Sequence, residues 1–263
     1  MEYINKTTKD GKVVKLKNYK KKVKINKIKR RLFLVLFLLI ILIIILLYAP
    51  FMQIKKINCY GNSVISSEDI VLNSKICIGN NIFRINKNKA IDYIDDNPYV
   101  KTVNIYRKLP STININIEEC QVFAYLKKDN GYVYLNEECK VLELSDVPPD
   151  KNVPLIKGVN VTSKVVNEVI EIKNIAQLDC IKDILSVLNN SKFKGMITLI
   201  DVTDTKKNKI TVNNILEIVL GDTENLDYKL NFMAAGAYDS LGSNQAGTLD
   251  VSYGCNAVFK EKQ

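Results

Sequence analysis

The chain of 263 residues has no histidine and no tryptophan. Without an imidazole it can form no histidine-based catalytic triad, no H-E-x-x-H zinc site and no histidine proton shuttle. It also lacks a C-x-x-C pair: Cys59, Cys77, Cys120, Cys139, Cys180 and Cys255 are widely scattered, so thiolate metal spacing is missing as well. Six is an even number and an oxidising compartment would permit disulfides, yet several of these cysteines fall in apolar patterns and read as small core residues. No Gly-rich phosphate loop is present. Ser191-x-x-Lys194 fits the S-x-x-K nucleophile pattern, but no S-D-N or K-T-G accompanies it. Asp201 and Asp204 stand among Thr203, Thr205 and Lys206, a composition that reads as an exposed turn between strands. These absences predict a protein that is not an enzyme and carries no metal or cofactor.

Acidic residues are nearly missing from one segment. Met1 to Arg31 holds thirteen Lys/Arg against Glu2 and Asp10, a local +11, whereas the remainder has 25 basic and 26 acidic residues. The formal charge of +10 is therefore a property of the tail, and no nucleic-acid partner is expected. Leu32 to Ala49 follows with eighteen uncharged residues, extended by Pro50, Phe51 and Met52. Such a run spans roughly 30 Å as a helix, about one hydrocarbon core, and predicts a single transmembrane helix over 32–52. Tyr48 and Phe51 lie where interfacial aromatics belong. No A-x-A cleavage site precedes Pro50, against a removed signal peptide. Lys20, Lys21, Lys22, Lys24, Lys27, Lys29, Arg30 and Arg31 crowd the front of the span, against Lys55 and Lys56 behind it. The positive-inside rule then puts the N-terminus in the cytoplasm and residues from about 53 outside the cell membrane. The tail, 1–31, reads as a topology signal in a largely disordered segment, with some capacity for anionic headgroups.

Beyond the span, Ile54 to Tyr60 reads as a strand closing at Gly61-Asn62. Ser66-x-x-Asp69 opens a helix through Ile70, Val71 and Leu72, and Asn86 opens another that Pro98 ends. Val103 and Ile105 share one strand face. After Arg107-Lys108-Leu109-Pro110-Ser111, Ile113, Ile115 and Ile117 alternate with Asn114, Asn116 and Glu118, which predicts a half-buried antiparallel hairpin. The order is β-α-α-β-β, able to bury one sheet face under two helices. This series, with IGNNIFRIN, the R-x-L-P-S-T turn, the acidic pair Glu118-Glu119 and the preceding anchor, resembles the POTRA domain of the FtsQ/DivIB cell-division family.

Downstream, Val122–Leu126, Gly131–Leu135 and Lys140–Leu144 read as strands, the last two turning at Asn136-Glu137-Glu138-Cys139. The family resemblance implies glycine where Cys139 stands, in a turn with φ > 0, so the turn type is open. Val153-Pro154-Leu155-Ile156-Lys157-Gly158 matches the family's Pro-x-x-x-Gly stretch. Ile170 to Leu188 is predicted as an amphipathic helix. Met196–Val202, Lys209–Val212 and Glu217–Leu220 are predicted strands, Leu226–Leu241 a second helix and Gly247–Tyr253 the final strand, which Ala257-Val258-Phe259 would extend beyond Gly254.

The fold class expected is α+β: one transmembrane helix, a POTRA domain (53–121) and a C-terminal mixed α/β "β domain" (122–260). The resemblance implies a bitopic divisome protein at the division septum that assembles partners and regulates septal peptidoglycan synthases indirectly. The partners it implies are DivIC/FtsB-like and FtsL-like bitopic proteins. In the family the last strand is a sheet edge to which a partner segment adds. Strand addition uses unpaired edge N–H and C=O groups for affinity and alternate side chains for selectivity. The candidate partner-binding residues are Thr248, Leu249, Asp250, Val251, Ser252, Tyr253 and Phe259, with Leu249 and Val251 facing the core and Tyr253 and Phe259 as aromatic anchors. The alternative is a POTRA-bearing component of a transport or secretion assembly. That reading calls for repeated POTRA units or a membrane β-barrel, and the sequence shows neither.

Overall fold

The computed structural model describes residues 3–17, 19–149, 152–242, 245–254 and 256–262, with the side chains of 3–7, 14–26 and 46–48 left out. Glu2 and Cys255 fall outside the described residues, as do the side chains of Tyr48, Lys20, Lys21, Lys22 and Lys24. The chain packs as two compact units. One comprises residues 1–57, 77–85 and 107–113, the other 58–76, 86–106 and 114–263.

The first unit begins where the sequence predicts little order. β1 (Tyr3–Thr7) and β2 (Val13–Lys17) pair antiparallel, and the turn between them is closed by Gly11 N–H on the Thr8 carbonyl at 3.0 Å. α1 (Tyr19–Tyr48) then runs from the lysines into the apolar stretch without a break. Among the described residues no helix is long and apolar enough to cross a membrane. The described side chains of α1 cover residues 27–45, and the unbroken uncharged run among them is 32–45. A 3₁₀ turn at Pro50–Met52 ends the segment.

The second unit opens with three strands, β3 (Lys56–Tyr60), β4 (Val100–Lys108) and β5 (Thr112–Glu119), in the order β3-β5-β4, a few end residues of which belong to the first unit. β5 buries Ile115 and Ile117 on one face, as its period-2 pattern requires. Two helices cover that face. α2 (Ser67–Ser74) starts at Ser66, whose Oγ accepts the Asp69 N–H at 3.0 Å, and α3 (Lys87–Asp95) starts at Asn86, whose side chain accepts from Lys89 N–H at 3.2 Å. Ile70, Ala90 and Ile94 point inward from them.

The rest of this unit is a nine-stranded sheet. Its strands are β6 (Ala124–Lys128), β7 (Gly131–Leu135), β8 (Val141–Ser145), β9 (Leu155–Lys157), β12 (Ile197–Asp201), β13 (Asn208–Val212), β14 (Leu216–Gly221), β15 (Gly247–Asp250) and β16 (Val258–Glu261). The order across the sheet is β16-β15-β14-β13-β12-β9-β6-β7-β8. β10 (Val161–Ser163) and β11 (Glu171–Ile172) form a separate pair. α4 (Ile175–Asn189) buries Ile181, Ile184, Leu185 and Leu188 in the same apolar cluster as the sheet's inward residues. It starts later than the sequence pattern suggests because Asn174 caps it, its side chain accepting from Ala176 N–H at 3.1 Å, while Ile170 and Ile172 are buried in the segment before it. The second predicted helix opens as a π-helical stretch, Tyr228–Ala234, and continues as α5 (Ala235–Leu241).

Cys139 keeps the left-handed backbone expected of glycine, with φ at 63°, and is fully buried. Burial pushes its thiol up to about 12, which leaves it a neutral core group. A polar seam ties residues 96–101 to the large sheet. Tyr99 Oη donates to Glu143 Oε2 at 2.7 Å, Lys101 Nζ meets Glu137 Oε1 at 3.0 Å, and Asn167 Nδ2 donates to the Asp96 carbonyl at 3.3 Å.

Glu119, at the end of β5, clamps the loop after β3. Its carboxylate accepts the N–H groups of Ser63, Val64 and Ile65 and the Ser63 hydroxyl, all within 2.8–2.9 Å. Partial burial works to raise its pKa, but these four donors outweigh burial and hold the carboxyl below the ordinary glutamate range. Because the folded pKa is depressed, the stabilisation is complete above the unfolded value and is lost as pH falls through the folded one. Glu119→Gln is expected to destabilise the chain by about 1–2 kcal/mol at neutral pH, and thermal melts from pH 7 to pH 3 should show that deficit shrinking towards the acid end.

Candidate functional site

A nine-stranded open sheet has two edges, and unpaired edge peptides are templates for another chain. The two edges here differ. At the start of β8 the outer peptide groups are occupied: Val141 N–H donates to the Glu168 carbonyl and the Val141 carbonyl accepts Asn167 N–H, both at 2.8 Å. Asn167 reaches this position with φ at 74°. At the other side β16 is last, and among the described residues nothing pairs with its outer row.

The peptide directions of this edge follow from the ladder. β14 and β15 are parallel; Gly247 N–H donates to the Ile215 carbonyl and Val251 N–H to the Val219 carbonyl. Peptides of Gly247, Leu249 and Val251 therefore face β14, and those of Thr248 and Asp250 face β16. Lys262 N–H donates to the Ala246 carbonyl at 3.2 Å, which makes that pair and, two residues along, Thr248/Lys260 and Asp250/Val258 the hydrogen-bonded ones. The peptide groups of Phe259 and Glu261 are left pointing outward.

The structure accordingly divides the seven residues that the sequence points to. Leu249 and Val251 are buried in the core, at 1% and 0% exposure, as the alternation predicts. Thr248 and Asp250 are half-buried on the opposite face, and their backbone is used by β16. The strand stops at Asp250 rather than Tyr253 because Asp250 Oδ1 accepts both the Ser252 N–H at 2.9 Å and the Ser252 hydroxyl at 2.6 Å, a local turn that takes the chain off the ladder. Tyr253 projects into solvent from that turn, 85% exposed. Phe259 lies opposite Leu249, partly buried against the core. The expected extension past Gly254 is instead a return strand: Gly254 has φ at 67°, and β16 comes back antiparallel to cover β15. The open edge thus moves from residues 248–253 to β16. Sequence alone offers only the short pattern Val258-Phe259-Lys260-Glu261 as a signal, too brief to separate an extension from a return.

Neither catalytic pattern acquires a geometry. Ser191 Oγ accepts Phe193 N–H at 3.2 Å, whereas Lys194 Nζ turns to Asn189 Oδ1 at 2.7 Å and lies over the Phe123 ring at 5.4 Å. Asp201 and Asp204 each accept N–H groups of their own turns, from Thr203 and Lys206.

The sequence of residues 52–119 matches the POTRA domain, FtsQ-type. Over 215 residues the chain is 32% identical to the cell division protein DivIB of Clostridium acetobutylicum, covering 81% of this chain and 85% of that one. The chain belongs to the DivIB cell-division family. The DivIB of Clostridium botulinum (strain Hall) is 30% identical over 239 residues, 90% of this chain and 93% of its own. That of Bacillus subtilis (strain 168) is 35% identical over 150 residues, 56% and 55% of the two chains. For a DivIB-family chain the mixed α+β architecture and the POTRA order β-α-α-β-β are the expected ones, and a role in cell division follows.

Gly247 is the residue that lets β16 sit where it does. A Cβ there would lie 2.5 Å from the Lys260 carbonyl oxygen and 2.5 Å from the Phe259 ring. Gly247→Ala should therefore loosen β16, with a cost of about 1–3 kcal/mol. Hydrogen exchange is expected to speed up at the Val258 and Lys260 amides and stay unchanged in β12 and β13.

Proposed function

We propose that this DivIB-family chain is a non-enzymatic, single-pass division protein whose outer domains hold bitopic partners at the septum by adding a partner strand to β16. The observation that carries the reading is the outward row of Phe259 and Glu261 peptide groups at one end of a sheet whose other end begins with its row occupied. An extended segment of a DivIC/FtsB-like chain would pair there. Phe259 and Tyr253 would give it aromatic surface, and Thr248, Asp250 and Ser252 would line the half-buried face beside it; Leu249 and Val251 would hold the strand from below. FtsL-like chains would join through the same assembly, and septal peptidoglycan synthases would be regulated indirectly through it.

The anchor belongs to the same proposal. Fourteen consecutive apolar side chains, Leu32 to Ile45, are each at least 37% exposed on α1, which suits a lipid environment far better than water. The basic tail would then stay in the cytoplasm, and residues 53–121 and 122–260 would be the POTRA and β domains outside. A transport or secretion role finds no matching observation beyond the shared POTRA module.

The test must remove an outward donor without touching the inner ladder. Proline at Val251 would break the bond to Val219 and so unfold the edge. Glu261→Pro deletes an outward N–H on an exposed residue. Full-length protein carrying it should keep its melting temperature and bind a purified DivIC-type partner up to about tenfold more weakly, the worth of one net hydrogen bond. Unchanged affinity in a surface-binding assay would remove β16 as the docking strand.

A further inference from the structure

Three segments of the first unit are knotted together by backbone bonds. Ile54 N–H donates to the Asn80 carbonyl at 2.9 Å, Gly79 N–H to the Ile54 carbonyl at 2.8 Å, and Ile82 N–H to the Met52 carbonyl at 2.9 Å. Lys55 N–H reaches the Ser111 carbonyl at 2.8 Å. Arg107 locks the knot from the third segment, its Nε donating to the Ile82 carbonyl at 2.8 Å and its Nη2 to that of Ile85 at 3.0 Å. Ile54, Ile82 and Ile113 are its fully buried centre.

What projects from this knot is unlike an ordinary soluble surface. Phe51, Ile78, Phe83 and Leu109 are 47%, 69%, 37% and 56% exposed. The same three segments carry Lys55, Lys56, Arg84 and Lys108, all exposed. Residues 49–57, 77–85 and 107–113 contain no acidic side chain, although the chain beyond Arg31 is otherwise balanced in charge. Exposed apolar tips accompanied by cations alone match the boundary between acyl chains and anionic headgroups. The knot also begins at Met52, the last residue of the proposed span, so the chain itself delivers it to that boundary.

We infer that this knot is a membrane-docking face: Phe51, Ile78, Phe83 and Leu109 enter the interface of an anionic bilayer, and Lys55, Lys56 and Lys108 bind its headgroups. The inference rests on the proposed anchor, because the anchor sets the distance. Docking at this face would hold the start of the POTRA domain at the lipid surface instead of leaving it on a swinging tether, and so fix the height at which the outer domains meet their partners.

The absence of tryptophan makes a single introduced indole a clean reporter. Full-length Leu109→Trp, Leu39→Trp and Leu144→Trp proteins would be reconstituted in nanodiscs of phosphatidylcholine alone or with phosphatidylglycerol, each with a doxyl-labelled quencher lipid. The expected result is blue-shifted, quenched emission from Leu109→Trp, at least about twofold more quenched in the anionic discs. Adding Lys55→Glu, Lys56→Glu and Lys108→Glu should return it to the phosphatidylcholine level, and Leu144→Trp should remain unquenched in both. Quenched Leu39→Trp with unquenched Leu109→Trp would overturn the docking face and leave the anchor standing. Unquenched Leu39→Trp would overturn both. Quenching of Leu109→Trp that ignores both lipid charge and the lysine reversals would overturn the headgroup recognition on which the proposal depends.

Discussion

An open β-sheet must end, and at each end a row of peptide groups is left over. In this protein that single constraint organises the large domain. At β8 the leftover row begins inside the protein, met by Asn167 and Glu168, and Asn167 adopts a left-handed backbone to make the contact. At β16 the row faces outward, with no inner partner among the described residues. A peptide row that can be satisfied only by water or by another chain is what strand addition requires, and the proposed partner would meet it with an extended backbone in register.

The surrounding architecture sets where that row lies. Gly247 lets the Phe259 ring lie across the strand pair, and the Asp250–Ser252 turn takes the chain away from β15 so that it can return as β16. Leu249 and Val251 anchor the penultimate strand in the core. At the near end of the second unit, Glu119 fixes the loop after β3, and Tyr99, Lys101 and Asn167 stitch residues 96–101 to the sheet. The exposed contacts of Tyr99, Lys101 and Asn167 add little stability but fix orientation, whereas the Glu119 clamp contributes to stability as well.

Much of this was legible in the residues. The alternation of Ile113, Ile115 and Ile117, the Ser66 cap and the Asn86 cap each express one local rule and appear as expected. Cys139 shows a limit of residue preference: the turn needs φ > 0, and full burial of the side chain holds a cysteine there where glycine would be the easier choice. The start of α4 differs from the sequence pattern because apolar residues at 170 and 172 continue the helical spacing, although both precede the Asn174 cap and Ile172 belongs to β11. The return of β16 is hidden from the sequence for a topological reason. Nothing in a four-residue strand says whether it prolongs its predecessor or folds back upon it; that depends on a turn whose geometry is set by a side-chain hydrogen bond from Ser252 to Asp250. The hairpin of β1 and β2 in the basic tail was likewise invisible, since its lysines mask the alternation.

The central claim, strand addition at β16, is tested most directly by residue-resolved amide exchange on the full chain in nanodiscs, with and without a DivIC-type partner. The account predicts that the Phe259 and Glu261 amides, free in the protein alone, become strongly protected on binding, while Val258 and Lys260, already bonded to β15, change little. Protection that appears elsewhere, with Phe259 and Glu261 still exchanging freely, would contradict it.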